Sequence, residues 1–281
     1  MNRGFEIALL SGLMLCLTGC NRAKEEPIWE KVKIGEITAK PGVKKPGIRL
    51  LKTINFDVHI FEMPAANAGK LREVELALYT RPLIFNNYKV FKANLFSVHF
   101  GQVKMWNKVH ELLIAAGCQK IVKVSLLLSD GQPNDLIITG FDDKRTISYI
   151  ATDGSKETAD IGPGIIALRM KADKIPGSRD VCKVVAHPAF TMPKRPAEPK
   201  LAERVRGQDV GFTGAAFGLN MSPNDFVVLG PDKYISDLTT LPGLFFTTPE
   251  GTWFFDESKR KLPERKPSVR VFVLVCTGLN Y

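Results

Sequence analysis

Hydrophobic and polar residues alternate in many short stretches of the chain after residue 52, the pattern of half-buried β-strands. The first stretch, TINFDVHIFEM at residues 53–63, places Phe56, Val58 and Ile60 on one side. After residue 118 nearly every predicted element is a strand, and turn residues such as those in SDGQPND, DDKR and TDGS separate several of them. The predicted strands are KIVKVSLLL, NDLIITGF, RTISYIAT, IIALRMKA, DVCKVVAHPAF, VGFTGAAFGLNM, DFVVLG, GLFFTT, GTWFFD and VRVFVLVCTGL.

Two segments before residue 118 have the spacing of amphipathic helices. In AANAGKLREVELALY, at residues 65–79, Asn67 is a candidate N-cap. In QVKMWNKVHELLIAAG, at residues 102–117, Gly117 ends the predicted helix. The hydrophobic stripes consist of Leu71, Val74 and Leu78 in the first segment, and of Val103, Trp106, Val109 and Leu113 in the second. Between them, NNYKVFKANLFSVHFG predicts a strand, a turn near Ala93-Asn94 and another strand.

These elements predict an α+β fold with two regions. Residues 51–118 form a β-α-β-β-α unit, and residues 119–281 form an antiparallel β-rich region, either a sandwich or a partly open barrel. A Pro-rich exposed loop is expected near residues 192–206. The chain has no repeat with a period of 20–50 residues, which argues against a solenoid or a propeller.

The N-terminal segment has the pattern of an export signal. Arg3 precedes an apolar run of 11 residues, Ile7–Leu17, whereas a transmembrane helix needs roughly 20. The run ends in Leu17-Thr18-Gly19-Cys20, which resembles the lipobox of bacterial lipoproteins, L-[AST]-[GA]-C. The alternative is an ordinary signal peptide with an incidental cysteine.

The resemblance to bacterial lipoproteins implies a processing site and an anchor. Cleavage between Gly19 and Cys20 would remove residues 1–19, and Cys20 would carry a diacylglycerol and an amide-linked acyl chain such as palmitate. Asn21 follows the cysteine in place of the aspartate that the family associates with inner-membrane retention, which favours the outer membrane.

Residues 20–50 are predicted to be a basic tether rich in Pro and Gly. Over Arg22–Lys52 there are nine Lys or Arg against four Glu, and the whole chain has a net charge of +10. A basic segment beside a lipid anchor is attracted to anionic head groups. The expected partners are therefore the bilayer, anionic surfaces and other envelope proteins, and nucleic acid is not expected for an exported chain.

The residues with reactive side chains do not form a known catalytic or metal motif. Cys118, Cys182 and Cys276 include no C-x-x-C pair and are interpreted as buried thiols, with their pairing left open. The segment VHELLI has Ile114 where a zincin helix needs a second histidine after His110. The remaining histidines lie in separate predicted strands (His59, His99, His187), and four carboxylates are assigned to turns (Asp130, Asp135, Asp142, Asp143). The sequence therefore predicts no catalytic residue, no metal site and no cofactor apart from the lipid at Cys20.

A second resemblance concerns residues 119–279. The segments YIATDGSKETADIGPGIIALRM, DFVVLGP, TTLPGLFFTT and VRVFVLVCTGL follow the order of motifs in the secretin domain of outer-membrane channels, and the β-α-β-β-α order is similar to the ring-building domains that precede it. This chain differs in having Pro231 in place of a second glycine and Thr277-Gly278 in place of a final Thr-Pro. The resemblance implies assembly into a ring.

Together these features predict a lipid-anchored cell-envelope protein with a non-enzymatic binding or scaffolding role. The alternatives are a shortened secretin-like subunit of an outer-membrane ring and a surface-tethered hydrolase.

Overall fold

The computed structural model describes residues 53–178, 180–192, 209–255 and 262–280. The predicted signal, the lipobox, the basic tether and most of the Pro-rich loop lie outside these residues. The strands are β1 (Thr53–Pro64), β2 (Ile84–Phe85), β3 (Phe96–Gly101), β4 (Gln119–Ser129), β5 (Pro133–Phe141), β6 (Arg145–Ile150), β7 (Lys156–Ile161), β8 (Gly164–Lys174), β9 (Cys182–Thr191), β10 (Val210–Gly211), β11 (Phe217–Met221), β12 (Phe226–Pro231), β13 (Thr247–Phe254) and β14 (Glu264–Asn280). The α-helices are α1 (Leu71–Leu76), α2 (Tyr88–Ala93), α3 (Trp106–Ala115) and α4 (Leu241–Phe246). Three short 3-10 helices cover Ala65–Lys70, Val103–Met105 and Thr213–Ala215.

Most strands belong to two antiparallel six-stranded sheets. The first sheet has the order β3-β12-β14-β1-β4, with β13 also paired to β14. The second has the order β2-β11-β9-β8-β5, with β10 also paired to β9. In the first sheet β1 pairs with β14 in a register that places Thr53 opposite Asn280, so the first and last described strands are neighbours. The β-rich α+β class predicted from the sequence is confirmed at this level.

Alternation along β1 divides the hydrophobic residues between two cores. Phe56 and Val58 point into a core that the first sheet shares with β8, β9 and β11 of the second sheet. Phe61 and Met63 point into a core on the opposite side, which α1 and α3 cover with Leu71, Val74, Val109 and Leu113. The layers are therefore helices, first sheet and second sheet, and the first sheet is buried on both faces.

Two α-helices overlap segments that the sequence predicted as strands, the first part of NNYKVFKANLFSVHFG and the segment GLFFTT. Tyr88–Ala93 forms α2, where the Asn87 side chain accepts hydrogen bonds from the N–H groups of Lys89 and Val90 as an N-cap. Leu241–Phe246 forms α4, which the Thr240 hydroxyl caps and which has a proline in its first turn. The predicted β-α-β-β-α order is consequently not confirmed.

The two predicted helix ends have different outcomes. Gly117 has φ +85° directly after α3, as expected of a C-terminal glycine. Asn67 is not an N-cap, because it lies within the 3-10 helix and its amide donates to the carbonyl of Ala116, 3.0 Å away. Asn67 instead joins the start of the helical layer to the end of α3.

Candidate functional site

The predicted processing and lipidation site at Gly19 and Cys20 lies outside the described residues. It stays a prediction, and the candidate sites below belong to the folded body.

The four histidines do not form one cluster. His59 and His110 both lie beside Trp106, with ring centroids 5.6 and 6.1 Å from it. His99 is in β3, and His187 is in the second sheet. Over residues 53–178, 180–192, 209–255 and 262–280, no group of three His, Cys, Asp or Glu side chains could hold a metal ion.

The carboxylates assigned to turns have mainly structural contacts, and one of them was misplaced. Asp130 accepts a hydrogen bond from the backbone N–H of Lys174 at 2.8 Å, and Asp143 pairs with Arg145 at 3.0 Å. Asp135 lies within β5 and not in a turn. The misplacement changes its role, because a strand position allows a contact across the sheet.

Asp135 belongs to a polar row on the outer face of the second sheet. Arg169 in β8 is directly opposite Asp135 on one side and His187 on the other. Its guanidinium donates from Nε and Nη2 to the two carboxylate oxygens of Asp135, both at 2.8 Å, and Nη2 also reaches Asp209 at 3.3 Å. A two-point contact of this kind fixes the orientation of the guanidinium. The row therefore presents a rigid arrangement of side chains from β5, β8 and β9.

The electrostatics of this row favour a neutral imidazole. Burial lowers the pKa of His187 below its usual value, and the positive charge of Arg169 lowers it further, against the opposing effect of Asp135. The hydrogen bond to Asp135 raises the pKa of Arg169, which keeps the guanidinium charged. A cation and a neutral donor or acceptor thus lie side by side.

A second polar group lies beside α1 at the edge of the first sheet. The Ser97 hydroxyl donates to Glu75 at 2.5 Å and lies 3.4 Å from Nδ1 of His99. These side chains line a shallow depression with Leu71, Val74 and Val228, which has room for about one water molecule. The order of contacts differs from a nucleophilic triad, in which the histidine lies between the hydroxyl and the carboxylate. In this arrangement the Ser97 hydroxyl donates its hydrogen bond to Glu75 and not to a histidine.

A third polar group closes one end of the core between the sheets. Glu62 is 6% exposed and accepts hydrogen bonds from Arg270 at 3.1 Å and from the completely buried Ser268, also at 3.1 Å. Thr248 and Thr252 donate to the same carboxylate. Arg270 also donates to the carbonyl of Ile138 at 2.8 Å, at a register shift between β5 and β8. The guanidinium thereby links the first sheet to the second.

None of the three groups was predicted from the sequence. A faint signal exists for Glu62 and Arg270, which interrupt hydrophobic positions on the core side of β1 and β14. Ser97, Glu75 and Arg169 have no such signal, because polar residues are common at these strand and helix positions.

No protein-family model, curated protein or solved structure matches the chain. Within the described part of the chain, every helix is too short or too polar to cross a membrane.

Proposed function

We propose that this protein is a lipid-anchored component of a cell envelope whose body binds or scaffolds other envelope components. The sequence Leu17-Thr18-Gly19-Cys20 supports the anchor, and residues 20–50 supply a basic connection to the body. The observation that supports the binding role is the outer face of the second sheet. Its fixed polar row lies next to an exposed aliphatic side chain.

That side chain is Ile137, which follows Asp135 by two positions on β5 and is 61% exposed. Side chains two apart on a strand share a face, so Ile137 extends from the same surface as Asp135 and Arg169. Protein interfaces commonly combine an apolar contact with oriented polar groups, and arginine is enriched in them. Lys183 is also exposed on this face, and Lys171 pairs there with Asp173 at 3.1 Å, so charges of both signs surround the row.

The anchor is tested by replacing Cys20. In the Cys20→Ala variant we expect the protein to lose its acyl chains and to keep an unprocessed signal, because cleavage and lipidation both require the cysteine. Metabolic labelling with an alkyne fatty acid and intact-mass spectrometry measure the two effects.

The matched control is Cys16→Ala, which removes the other cysteine of the same segment and leaves the lipobox in place. Equal labelling of the wild type and the Cys20→Ala variant would contradict the anchor. So would a wild-type protein without lipid mass at Cys20.

The binding face is tested by placing a photo-crosslinking amino acid at Ile137 in intact cells. We expect adducts with one or a few envelope proteins, because this position lies in the proposed contact surface. The control position is Leu76 on the helical side, which is 73% exposed and should give no such adducts.

The pattern of adducts distinguishes the proposed binding role from assembly into a secretin-like ring. A ladder of adducts between copies of this chain, with a native mass many times the protomer, would favour a secretin-like ring. Absence of protein adducts at Ile137 would contradict the outer face as a binding surface.

A further inference from the structure

Two of the three cysteines of the folded body lie on facing sides of the two sheets. Cys182 begins β9 in the second sheet, and Cys276 lies in β14 of the first sheet. Both side chains point into the shared core and are completely buried. Both are thiols in the structure.

The turn between β11 and β12, called the corner below, positions both residues. Met221 at the end of β11 is the strand partner of Cys182, and its carbonyl accepts from the Cys182 thiol at 3.5 Å. The turn that follows then crosses to the first sheet. There the N–H of Asn224 donates to the carbonyl of Cys276 at 2.6 Å, and the N–H of Cys276 donates to the carbonyl of Asp225 at 3.0 Å.

The corner itself is held by local hydrogen bonds. The N–H of Ser222 donates to the Asp225 carboxylate at 2.8 Å, and the N–H of Asp225 donates to the carbonyl of Ser222 at 3.0 Å. Because the turn is fixed at both ends, it sets the separation of β9 and β14 at this end of the core.

The two thiol groups meet in the shared core and interact with each other. This interaction, together with burial, raises the pKa of Cys276, whereas it lowers the pKa of Cys182.

We propose that Cys182 and Cys276 form a disulfide that joins the two sheets when the protein folds in an oxidising compartment. The oxidant is a disulfide, either of a thiol–disulfide oxidoreductase or of a small molecule. The Cys182 thiolate attacks one sulfur of the oxidant, giving a mixed disulfide and releasing the first thiol. The Cys276 thiolate then attacks the Cys182 sulfur and releases the second thiol. The two cysteines lose two protons and two electrons, which the oxidant takes up as two thiols.

Cys118 is the cysteine that this pairing leaves as a thiol. It lies in the other core, between the first sheet and the helices, and is 3% exposed. Burial raises its pKa to about 12. Its position on the far side of the first sheet separates it from the facing pair.

The expected effect on stability is large because the two cysteines are far apart in sequence. A crosslink between residues 182 and 276 closes a long loop in the unfolded chain, and loop-closure entropy predicts a Tm higher by about 10 °C. The disulfide would join the two sheets at the end of the core opposite to the contact between Glu62 and Arg270.

The test uses the full lipidated chain extracted in detergent. Free thiols are alkylated under denaturing conditions without reductant, and the peptides are identified by mass spectrometry. We expect alkylation of Cys118 alone and a linked pair of peptides containing Cys182 and Cys276. A reductant should lower the Tm of the wild type and of Cys118→Ala by about 10 °C, and should leave the Tm of Cys182→Ala and Cys276→Ala unchanged.

The compartment and the pairing are tested separately, since the proposal relies on the proposed export only for its oxidising environment. Reduced protein is refolded with oxidised glutathione. Formation of the same link in this experiment, with Cys182 and Cys276 both alkylated in protein from cells, would support the pairing and contradict an oxidising environment for the folded body. Three free thiols in both experiments would overturn the disulfide. If an Ala variant fails to fold, the effect of reductant on the wild type and on Cys118→Ala still decides the question.

Discussion

Replacement of Arg270 by methionine should destabilise the fold by about 3 kcal/mol at neutral pH. The guanidinium neutralises Glu62, which is 6% exposed, and satisfies the carbonyl of Ile138 across the two sheets. Methionine fills similar space without a charge or a donor, so the carboxylate would be left buried without its counter-ion. Urea unfolding of the two proteins measures the difference.

The pH dependence of this effect follows from Glu62. Burial raises the pKa of Glu62, but the hydrogen bonds from Thr252 and Arg270 and the charge of Arg270 outweigh it, so the pKa is lowered. A carboxyl with a lowered pKa stabilises the fold above its unfolded pKa, and this stabilisation is lost as the pH falls through the folded pKa. Without Arg270, the effect of burial is less opposed and the pKa of Glu62 should be higher. The loss of unfolding free energy in Arg270→Met should therefore be small near about pH 4 and larger near about pH 7.

The matched control is Arg265→Met in the same strand. Arg265 is half exposed and lies 3.7 Å from the exposed Glu250, a contact that should contribute well under about 1 kcal/mol. Equal losses for Arg265→Met and Arg270→Met, or a loss at Arg270 that does not change with pH, would show that the Glu62 carboxylate is not what Arg270 stabilises.

Replacement of Phe96 by alanine should cost about 4 kcal/mol of unfolding free energy. Phe96 is 1% exposed, and its ring centroid lies 4.7 Å from Phe246, 5.2 Å from Phe245 and 6.2 Å from Phe91. The truncation would leave a cavity between α2, α4 and β3, where the surrounding aromatic rings are too rigid to fill it completely. Chemical unfolding measures the loss.

A graded series makes this result specific. Phe96→Leu keeps most of the hydrophobic volume and should lose about half as much as Phe96→Ala. Phe255→Ala removes a ring that is 66% exposed and should change stability by less than about 0.5 kcal/mol. If Phe96→Ala cost no more unfolding free energy than Phe255→Ala, the aromatic packing around α4 would not stabilise the fold as expected.

Most strands could be predicted from the sequence because alternation directly reflects burial on one face. The prediction was wrong at Tyr88–Ala93 and in GLFFTT, where aromatic and aliphatic residues suggested strands and the structure has α2 and α4. Both segments follow a capping residue, Asn87 or Thr240, whose side chain accepts hydrogen bonds from the first N–H groups of the helix. At both segments, local capping and packing against the sheets outweighed the strand propensity of the residues.

The polar groups of the body could not be predicted for a different reason. The contact between Asp135 and Arg169 depends on the register of β5 against β8, and a shift of one residue would move them to opposite faces. The facing positions of Cys182 and Cys276 depend on how two sheets meet. Asp135, Cys182 and Cys276 could be identified from the sequence, but Arg169 could not, and the sequence alone does not bring any of them together with its partner.

The position of β14 has a consequence for the order in which the body can form during synthesis. This 17-residue strand pairs with β1, β12 and β13, and β1 can join β12 only through it. Until β14 has left the ribosome, β1 lacks its main neighbour and β12 is not connected to it. The first sheet of a nascent chain therefore stays incomplete until β14 emerges, and an incompletely folded chain can be threaded through a channel that is too narrow for the folded body.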